Sequence, residues 1–247
     1  MDFGILGPLS VRGADGEVVA IGGRKPRTLL AALVLARGQV LTDERLITLL
    51  WNAARPATVD AQLCTYASRL RRALGPAARL RRAGRGYLLE NDPGTVDAEE
   101  FERLAALGHG ELRAGHPGRA VAHLRNALAL WRGPALADVQ ESLRAREAAR
   151  FEELRLGALE CRIEAEIELG ELLSAVPEAT RLVDTYPLRE RSWVLLMAAL
   201  CASGRQSDAV AAYHRGRRIL SERTGMAPGP VLRAAYEWVL EPAHRSP

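Results

Sequence analysis

Hydrophobic and polar positions follow different patterns in the two parts of the chain. From residue 98 onward, apolar residues recur every three to four positions, the pattern of helices that bury one face. Glycine, proline or a short polar stretch interrupts the pattern at intervals and marks helix ends. The pattern predicts helices over residues 98–114, 118–131, 142–169, 172–186, 190–203, 206–224 and 229–240.

A short glycine-to-alanine spacing recurs within this helical part. Gly-x-x-x-x-Ala occurs at Gly115/Ala120, Gly170/Ala175 and Gly204/Ala209, and the last two copies lie 34 residues apart. That separation is the period of a tetratricopeptide helix pair. Ala209, Tyr213 and Gly216 alternate small and large side chains, as closely packed helices require. We therefore predict an all-α, tetratricopeptide-like repeat domain. Such domains usually bind proteins, although a plain structural scaffold fits the pattern too.

Shorter elements are predicted near the N-terminus. Apolar residues predict strands over 3–11 and 17–21, and the turn Ala14-Asp15-Gly16 would join them as a hairpin. A mostly buried helix follows from Pro26 to Ala36, with proline in its first turn. A second helix comes next, with Thr42 as its N-cap.

Residues 58–75 predict a third helix with one apolar and one basic face. At 100° per residue, Leu63, Ala67, Leu70 and Leu74 form an apolar stripe, and Gly75 ends the helix. The opposite side carries Gln62, Thr65, Ser68, Arg69 and Arg72, with Tyr66 and Arg71 on the flanks. Cations and small polar groups suit a helix in a DNA major groove. Taken alone, the helix fits a basic solvated surface equally well.

Two further strands with a glycine-rich tip are predicted over residues 79–89. Arg85 lies on that tip between Gly84 and Gly86. Strands, three helices and a terminal hairpin make a winged helix-turn-helix, whose third helix reads DNA. Arg85 would then reach the adjacent minor groove or its phosphates. As an alternative, the same three residues would form a tight turn with a solvated side chain.

The charges are unevenly distributed along the chain. Residues 1–96 hold 14 Lys+Arg against 8 Asp+Glu, while residues 97–247 hold 20 against 22. The first part is about +6 and the rest about −2, which favours a basic nucleic-acid module joined to a neutral one. Almost all the cations are arginine, since Lys25 is the only lysine.

Several classes of protein are disfavoured by the motifs that are missing. Cys64, Cys161 and Cys201 lie far apart, so neither a disulfide framework nor a zinc site is expected. No apolar run is long enough to span a membrane, and we expect no signal peptide. The sequence also lacks an H-E-x-x-H motif and a phosphate-binding loop, so we expect no metal, no cofactor and no nucleotide-binding module.

The clearest boundary in the chain is Asn91-Asp92-Pro93-Gly94. It predicts a winged helix-turn-helix domain of α+β type over residues 1–92 and an all-α repeat domain over 97–241, with a tail at 242–247. The predicted fold class is therefore mainly α.

Several separated motifs resemble one known family. Residues 23–31, 68–75 and 84–89 look like the OmpR-type winged helix of the Streptomyces antibiotic regulatory proteins. The second part resembles their bacterial transcriptional activator domain, and the matching segments are residues 127–136, 152–156, 186–191 and 225–230. The resemblance extends from Phe3 to about Leu240, and the motifs occur in one order.

The resemblance implies a transcriptional activator of a secondary-metabolite pathway, often an antibiotic gene cluster. Such proteins bind direct repeats in double-stranded DNA near a promoter's −35 region, commonly as a head-to-tail homodimer. They recruit the RNA polymerase holoenzyme with its sigma factor. The resemblance further implies a cytoplasmic protein that associates with the nucleoid and is not an enzyme.

The resemblance also assigns roles to residues of the third helix and the wing. Thr65 and Arg69 fall on positions that face bases. Arg85 falls on the wing tip. Positions facing or beside phosphates are Gln62, Tyr66, Ser68, Arg71, Arg72, Arg81 and Arg82. Cys64 and Ala67 depart from the glutamine and valine that are frequent in the family, which concerns the DNA sequence recognised rather than binding itself.

Two other classes of function remain open at this stage. One is a helical-repeat adaptor whose basic N-terminal part docks an acidic protein without sequence-specific DNA binding. The other is an enzyme, which has the weaker support. Acid pairs such as Glu99-Glu100 and Glu152-Glu153 are adjacent on predicted helices, so their side chains point apart toward solvent.

Overall fold

A computed structural model describes residues 1–13, 15–52, 54–76, 78–90 and 95–241. Ala14 of the first predicted turn, the predicted boundary at 91–94 and the predicted tail at 242–247 lie outside the described residues. The chain forms two compact units. The first comprises Met1–Leu104 with Ala127–Arg155, and the second comprises Ala105–Asn126 with the described residues from Leu156 onward. The predicted domain limits at 92 and 97 stay a prediction.

The N-terminal strands differ from those predicted. Strand β1 (Asp2–Gly4) pairs antiparallel with β2 (Ser10–Arg12), so the single strand predicted over 3–11 folds back on itself. The second predicted strand, 17–21, contributes only a bridge between Val18 and Arg12. The amides of Ile5 and Leu6 donate to the Asp97 carboxylate at 2.7 and 3.0 Å, which removes them from any ladder. Pro8 has no amide proton to donate. Both effects end the strand.

The first two helices form in the segments where the sequence predicts them. Helix α1 (Arg24–Leu35) has a run of buried residues from 28 to 34 and includes Pro26 in its first turn. A short strand β3 (Leu41–Thr42) leads into α2 (Asp43–Trp51). The Thr42 side chain accepts a hydrogen bond from the Arg45 amide at 3.3 Å. The predicted N-cap is confirmed, and such a cap contributes about 1 kcal/mol.

The third helix has the predicted apolar face. Helix α3 (Val59–Leu74) buries Leu63, Ala67, Leu70 and Leu74, each at most 2% exposed. Gly75 follows the helix with φ +61°, a backbone conformation that favours glycine. The stripe predicted from helical periodicity is confirmed, and it fixes which side of α3 faces solvent.

A three-stranded antiparallel sheet forms the wing. Its order is β3, then β5 (Gly86–Glu90), then β4 (Arg79–Arg82). The Ala83 amide donates to the Gly86 carbonyl at 3.0 Å and closes the turn. A Cβ at position 86 would lie 2.4 Å from the Leu41 carbonyl oxygen, so β3 can approach β5 only because Gly86 has no side chain.

The remaining helices have bounds close to those predicted. They are α4 (Asp97–Arg113), α5 (Pro117–Ala129), α6 (Glu141–Glu168), α7 (Leu172–Thr185), α8 (Glu190–Ala202), α9 (Gln206–Thr224) and α10 (Pro230–Leu240). Trp193 of α8 is fully buried, and its indole N–H donates to the Pro187 carbonyl at 2.9 Å. A Cβ at Gly216 would lie 2.9 Å from the Trp193 ring, so the predicted small residue is needed for α9 to pack against α8. The predicted fold class is confirmed.

Candidate nucleic-acid interface

The solvent-facing side of α3 is the centre of the candidate interface. Thr65, Ser68, Arg69 and Arg72 are exposed, on the side of the helix away from the buried stripe. The apolar stripe anchors the helix at four points along its length, so these side chains project from a fixed backbone. One acidic residue, Asp60, occupies the first turn. The face therefore presents cations and small polar groups from a rigid element.

Three of the six arginines predicted to contact DNA have free guanidinium groups. Arg69, Arg72 and Arg85 form no hydrogen bond or ion pair with any residue that the structure describes. Two of them lie on α3, and the third lies on the wing turn between β4 and β5. A guanidinium has five N–H donors in a fixed planar fork and stays charged at physiological pH. These side chains are therefore available to phosphate oxygens or guanine edges.

The other three arginines are held by the protein itself. Arg71 donates from Nε to the Leu80 carbonyl at 2.8 Å. Arg81 pairs with Glu90 at 2.5 Å. Arg82 forms two parallel hydrogen bonds of 2.6 Å with the Asp43 carboxylate. The hydrogen bonding of Arg82 to the Asp43 carboxylate is the largest influence raising the pKa of Arg82. Each of these contacts fastens the wing strands to each other or to a neighbouring helix.

Asp43 connects the wing to α2 at two places. Its carboxylate accepts both hydrogen bonds from the Arg82 guanidinium, while its backbone amide donates to the Arg85 carbonyl at 2.9 Å. The backbone of the wing tip is thereby tied to the first turn of α2, and the Arg85 side chain stays free. The sequence did not indicate this role of Asp43. Its partner lies 39 residues away, and nothing local in the sequence points to it.

Thr65, Gln62 and Tyr66 have local contacts along α3. The Thr65 hydroxyl donates to the Ala61 carbonyl at 2.8 Å, which leaves its oxygen able to accept and its methyl group exposed. Gln62 donates to the Thr58 hydroxyl at 3.0 Å. The Tyr66 ring stacks on Trp51 with centroids 5.9 Å apart, so it packs α3 on α2.

Cys64 lies at the edge of this face, next to a buried tyrosine. The Tyr87 hydroxyl donates to the exposed Cys64 sulfur at 3.7 Å. Burial is the main cause that raises the pKa of Tyr87, and the contact with Cys64 adds to it. Arg82 lies over the same ring at 4.7 Å. Tyr87 therefore joins α3 to the wing, a role that the sequence did not indicate.

Clusters of potential metal ligands and long apolar helices are both missing from the described residues. No group of three or more His, Cys, Asp or Glu side chains there is placed to hold a metal ion. No helix in the same part of the chain is long and apolar enough to cross a membrane.

Two family models match the chain over adjacent segments. A bacterial transcriptional activator domain matches residues 96–240. The C-terminal domain of transcriptional regulatory proteins matches residues 18–89, which include α1, α2, α3 and most of the wing. The fold and both matches define the class as bacterial transcriptional regulators.

Similar proteins come from Streptomyces and Mycobacterium species. RedD of Streptomyces coelicolor is 41% identical over 97% of this chain and 70% of its own length. DnrI of Streptomyces peucetius is 38% identical over 97% of this chain and 92% of its own length. The chain spans about a quarter of the regulatory protein AfsR of Streptomyces coelicolor, at 38% identity. The chain belongs to the Streptomyces antibiotic regulatory protein family.

A solved structure shares the fold. Mycobacterium tuberculosis EmbR, in complex with a low-affinity phosphopeptide, is 36% identical with a TM-score of 0.91, and the match covers 97% of this chain and 64% of that chain.

Proposed function

We propose that this protein is a sequence-specific DNA-binding activator of transcription, with α3 lying in the major groove. The observation that carries the proposal is the solvent face of α3, where Arg69 and Arg72 have no partner among the described residues and lie opposite a buried stripe. An ordinary solvated arginine often pairs with a nearby acid. A face that keeps its guanidinium groups free on a rigid helix suits an external anionic partner.

We assign base recognition to Arg69 and Thr65, which are four residues apart and therefore neighbours on one side of α3. Arg69 would donate two parallel hydrogen bonds to a guanine edge, and such a pair discriminates between bases by roughly 1–3 kcal/mol. Thr65 would offer its hydroxyl oxygen as acceptor and its methyl group to a thymine methyl. Both contacts need α3 to be held in place, and the buried apolar stripe holds it.

Contacts to the DNA backbone are assigned to side chains around this pair. Arg72, Ser68, Gln62 and Tyr66 would position α3 against phosphates, and Arg85 would contact the neighbouring minor groove or its phosphates. The three engaged arginines, Arg71, Arg81 and Arg82, act first in holding the wing. Backbone contacts of this kind fix the register of the helix and carry no sequence information of their own.

Further parts of the proposal rest on family membership. We infer that two copies bind direct repeats near a −35 region in a head-to-tail arrangement and recruit RNA polymerase with its sigma factor. We infer further that the target is a secondary-metabolite gene cluster and that the protein works in the cytoplasm at the nucleoid. Repeats read by two copies on one face of the DNA would lie about 10–10.5 base pairs apart, or a multiple of this.

The test is a mobility-shift competition between promoter DNA and random DNA. Arg69→Ala should remove most of the preference for the promoter and leave weak binding to both. Arg218→Ala is the matched control, because Arg218 is an exposed arginine of α9 without a partner in the described part of the chain. An Arg69→Ala protein with an unchanged preference would refute the assignment of Arg69. Wild-type protein without any preference would favour the adaptor alternative.

A further inference from the structure

A cavity of about 450 Å³ lies within the first compact unit. It is bordered by the end of α1, the segment that includes β3, the α2 helix and the first turns of α6. Its volume is in the range of sites for small organic molecules, which span about 300–1,000 Å³. None of the contacts proposed above with DNA uses this cavity.

One part of the cavity lining is apolar. Leu49 and Leu143 are buried, and Leu35 is half-buried at the end of α1. They come from three different helices. An apolar ligand that packs against this wall is stabilised by roughly 25 cal/mol for each Å² of apolar surface removed from water. The apolar wall provides neither a hydrogen-bond donor nor a charge to a bare phosphate group.

The other part of the lining is cationic. Arg150 is held by Glu102 at 3.0 Å and by Glu147 at 3.5 Å. Burial alone would raise the pKa of Glu102, but hydrogen bonds from Arg37 and Arg150 outweigh it and place that pKa below its usual range. Glu102 is therefore a carboxylate that keeps Arg150 engaged.

Two arginines of the lining have no such partner. Within the described ranges, neither the Arg45 nor the Arg146 guanidinium forms a hydrogen bond or ion pair. Arg45 is on α2 and Arg146 is on α6, so they approach the cavity from different elements. Three arginines and one carboxylate, Glu147, line the cavity, so positive charge is in excess there. Excess charge in a recess with apolar walls attracts an ion of the opposite sign more strongly than it does on a flat surface.

We propose that this cavity binds a small organic carboxylate with an apolar body, with Arg45 and Arg146 on the carboxylate and the leucines against the body. The site also includes Thr42, the residue that caps α2 and pairs with Gly86 of the wing. A ligand here would contact the segment next to Asp43, which holds the wing. DNA phosphate is the competing occupant, and the apolar wall disfavours it.

The test measures binding of naphthalene-2-carboxylate to the full chain without DNA, by calorimetry and ligand-observed NMR. We expect saturable binding to one site, and at least tenfold weaker binding of the neutral 2-naphthamide, because charge-assisted hydrogen bonds are lost. Arg45→Gln and Arg146→Gln should each weaken binding of the carboxylate about tenfold. Arg144→Gln is the control, since Arg144 is exposed on the same helix, pairs with Glu141 and does not line the cavity.

A second variant tests the volume of the cavity. Ala36→Phe places a ring into it from a half-buried position and should abolish binding, with thermal unfolding measured to verify folding. Equal binding of acid and amide, full binding by the Arg45→Gln/Arg146→Gln double variant, or no saturable binding would overturn the proposal. The proposal would also fail if the wild type binds no carboxylate and, in a separate mobility-shift assay, the double variant loses affinity for all DNA sequences. Because the assay contains no DNA, its failure is distinguishable from failure of the proposed function.

Discussion

The contact between Asp43 and Arg82 separates two roles that an arginine on a DNA-binding surface can have. If Arg82 contacts phosphate, removing Asp43 frees it and takes away a negative charge, and DNA affinity should rise. If Arg82 holds the wing, Asp43→Ala should lower the affinity although an acid has been removed. We predict the second outcome, because both oxygens of Asp43 are occupied by Arg82 at 2.6 Å.

The size of the effect follows from the exposure of the pair. The Arg82 side chain is 43% exposed and that of Asp43 23%, so solvent screens much of their attraction. An exposed pair of this kind contributes about 0.5–1 kcal/mol, and the two-bond geometry places it toward the upper end. Since 1.4 kcal/mol is a factor of ten in affinity, loss of the constraint on the wing should weaken DNA binding about two- to fivefold.

The assay is fluorescence anisotropy with promoter DNA at several salt concentrations. Glu44→Ala is the matched control, because it removes the same charge from the same turn of α2, and Glu44 has no side-chain partner among the described residues. It should leave the affinity unchanged or raise it slightly. Arg82→Ala and the double variant should resemble Asp43→Ala, and the salt slope should stay the same. A rise in affinity for Asp43→Ala, or a salt slope for Arg82→Ala reduced by about 0.9, would show that Arg82 neutralises a phosphate.

Two further predictions concern packing and thiol reactivity. Gly216→Ala should destabilise the second unit by about 1–3 kcal/mol in calorimetric unfolding, because its Cβ would press on the Trp193 ring, whereas Gly157→Ala on α6 has open space and should stabilise by about 0.5–1 kcal/mol. Equal effects of the two variants would contradict the packing argument. Maleimide labelling followed by mass spectrometry should modify exposed Cys64 first and buried Cys161 last, since burial raises the pKa of Cys161 to about 11. Bound promoter DNA should protect Cys64, and labelling of Cys64 at an unchanged rate on DNA would argue against α3 as the contact surface.

The features that the sequence predicted well depend on short-range physics. The stripe from Leu63 to Leu74 follows from helical periodicity, and it is buried as expected. The wing turn follows from Gly84 and Gly86, where the backbone needs a positive φ and a close approach to β3. Thr42 caps α2 because a threonine side chain at that point can reach the Arg45 amide. Each of these depends on residues a few positions apart or on one strand pair.

The features that were missed depend on partners far apart in the chain. The predicted strand 3–11 is broken because Asp97, more than 90 residues later, takes the amides of Ile5 and Leu6. Gly7-Pro8 was an available local sign of that break. The engagement of Arg71 by Leu80 and of Arg82 by Asp43 had no sign in the sequence, because periodicity shows which side of an element faces solvent and not what it meets there. The cavity beside α2 is lined partly by α6, so the sequence did not indicate it either.

The distribution of ion pairs explains why charge counts alone say little about the interface. In this arginine-rich unit, carboxylates take up cations at several places away from the exposed face of α3, including Arg27 with Asp138 at 2.9 Å and Arg37 with Glu99 at 3.2 Å. An arginine held in this way has lost much of its capacity to bind phosphate. The acids thereby determine which cations remain available, and Arg69, Arg72 and Arg85 are among those left free. A net charge of about +6 over residues 1–96 would allow DNA to bind many faces, and pairing with acids removes several of these cations from the charge available to DNA. If α3 contacts DNA as proposed, the positions of the acids therefore help to determine the orientation of the protein on DNA.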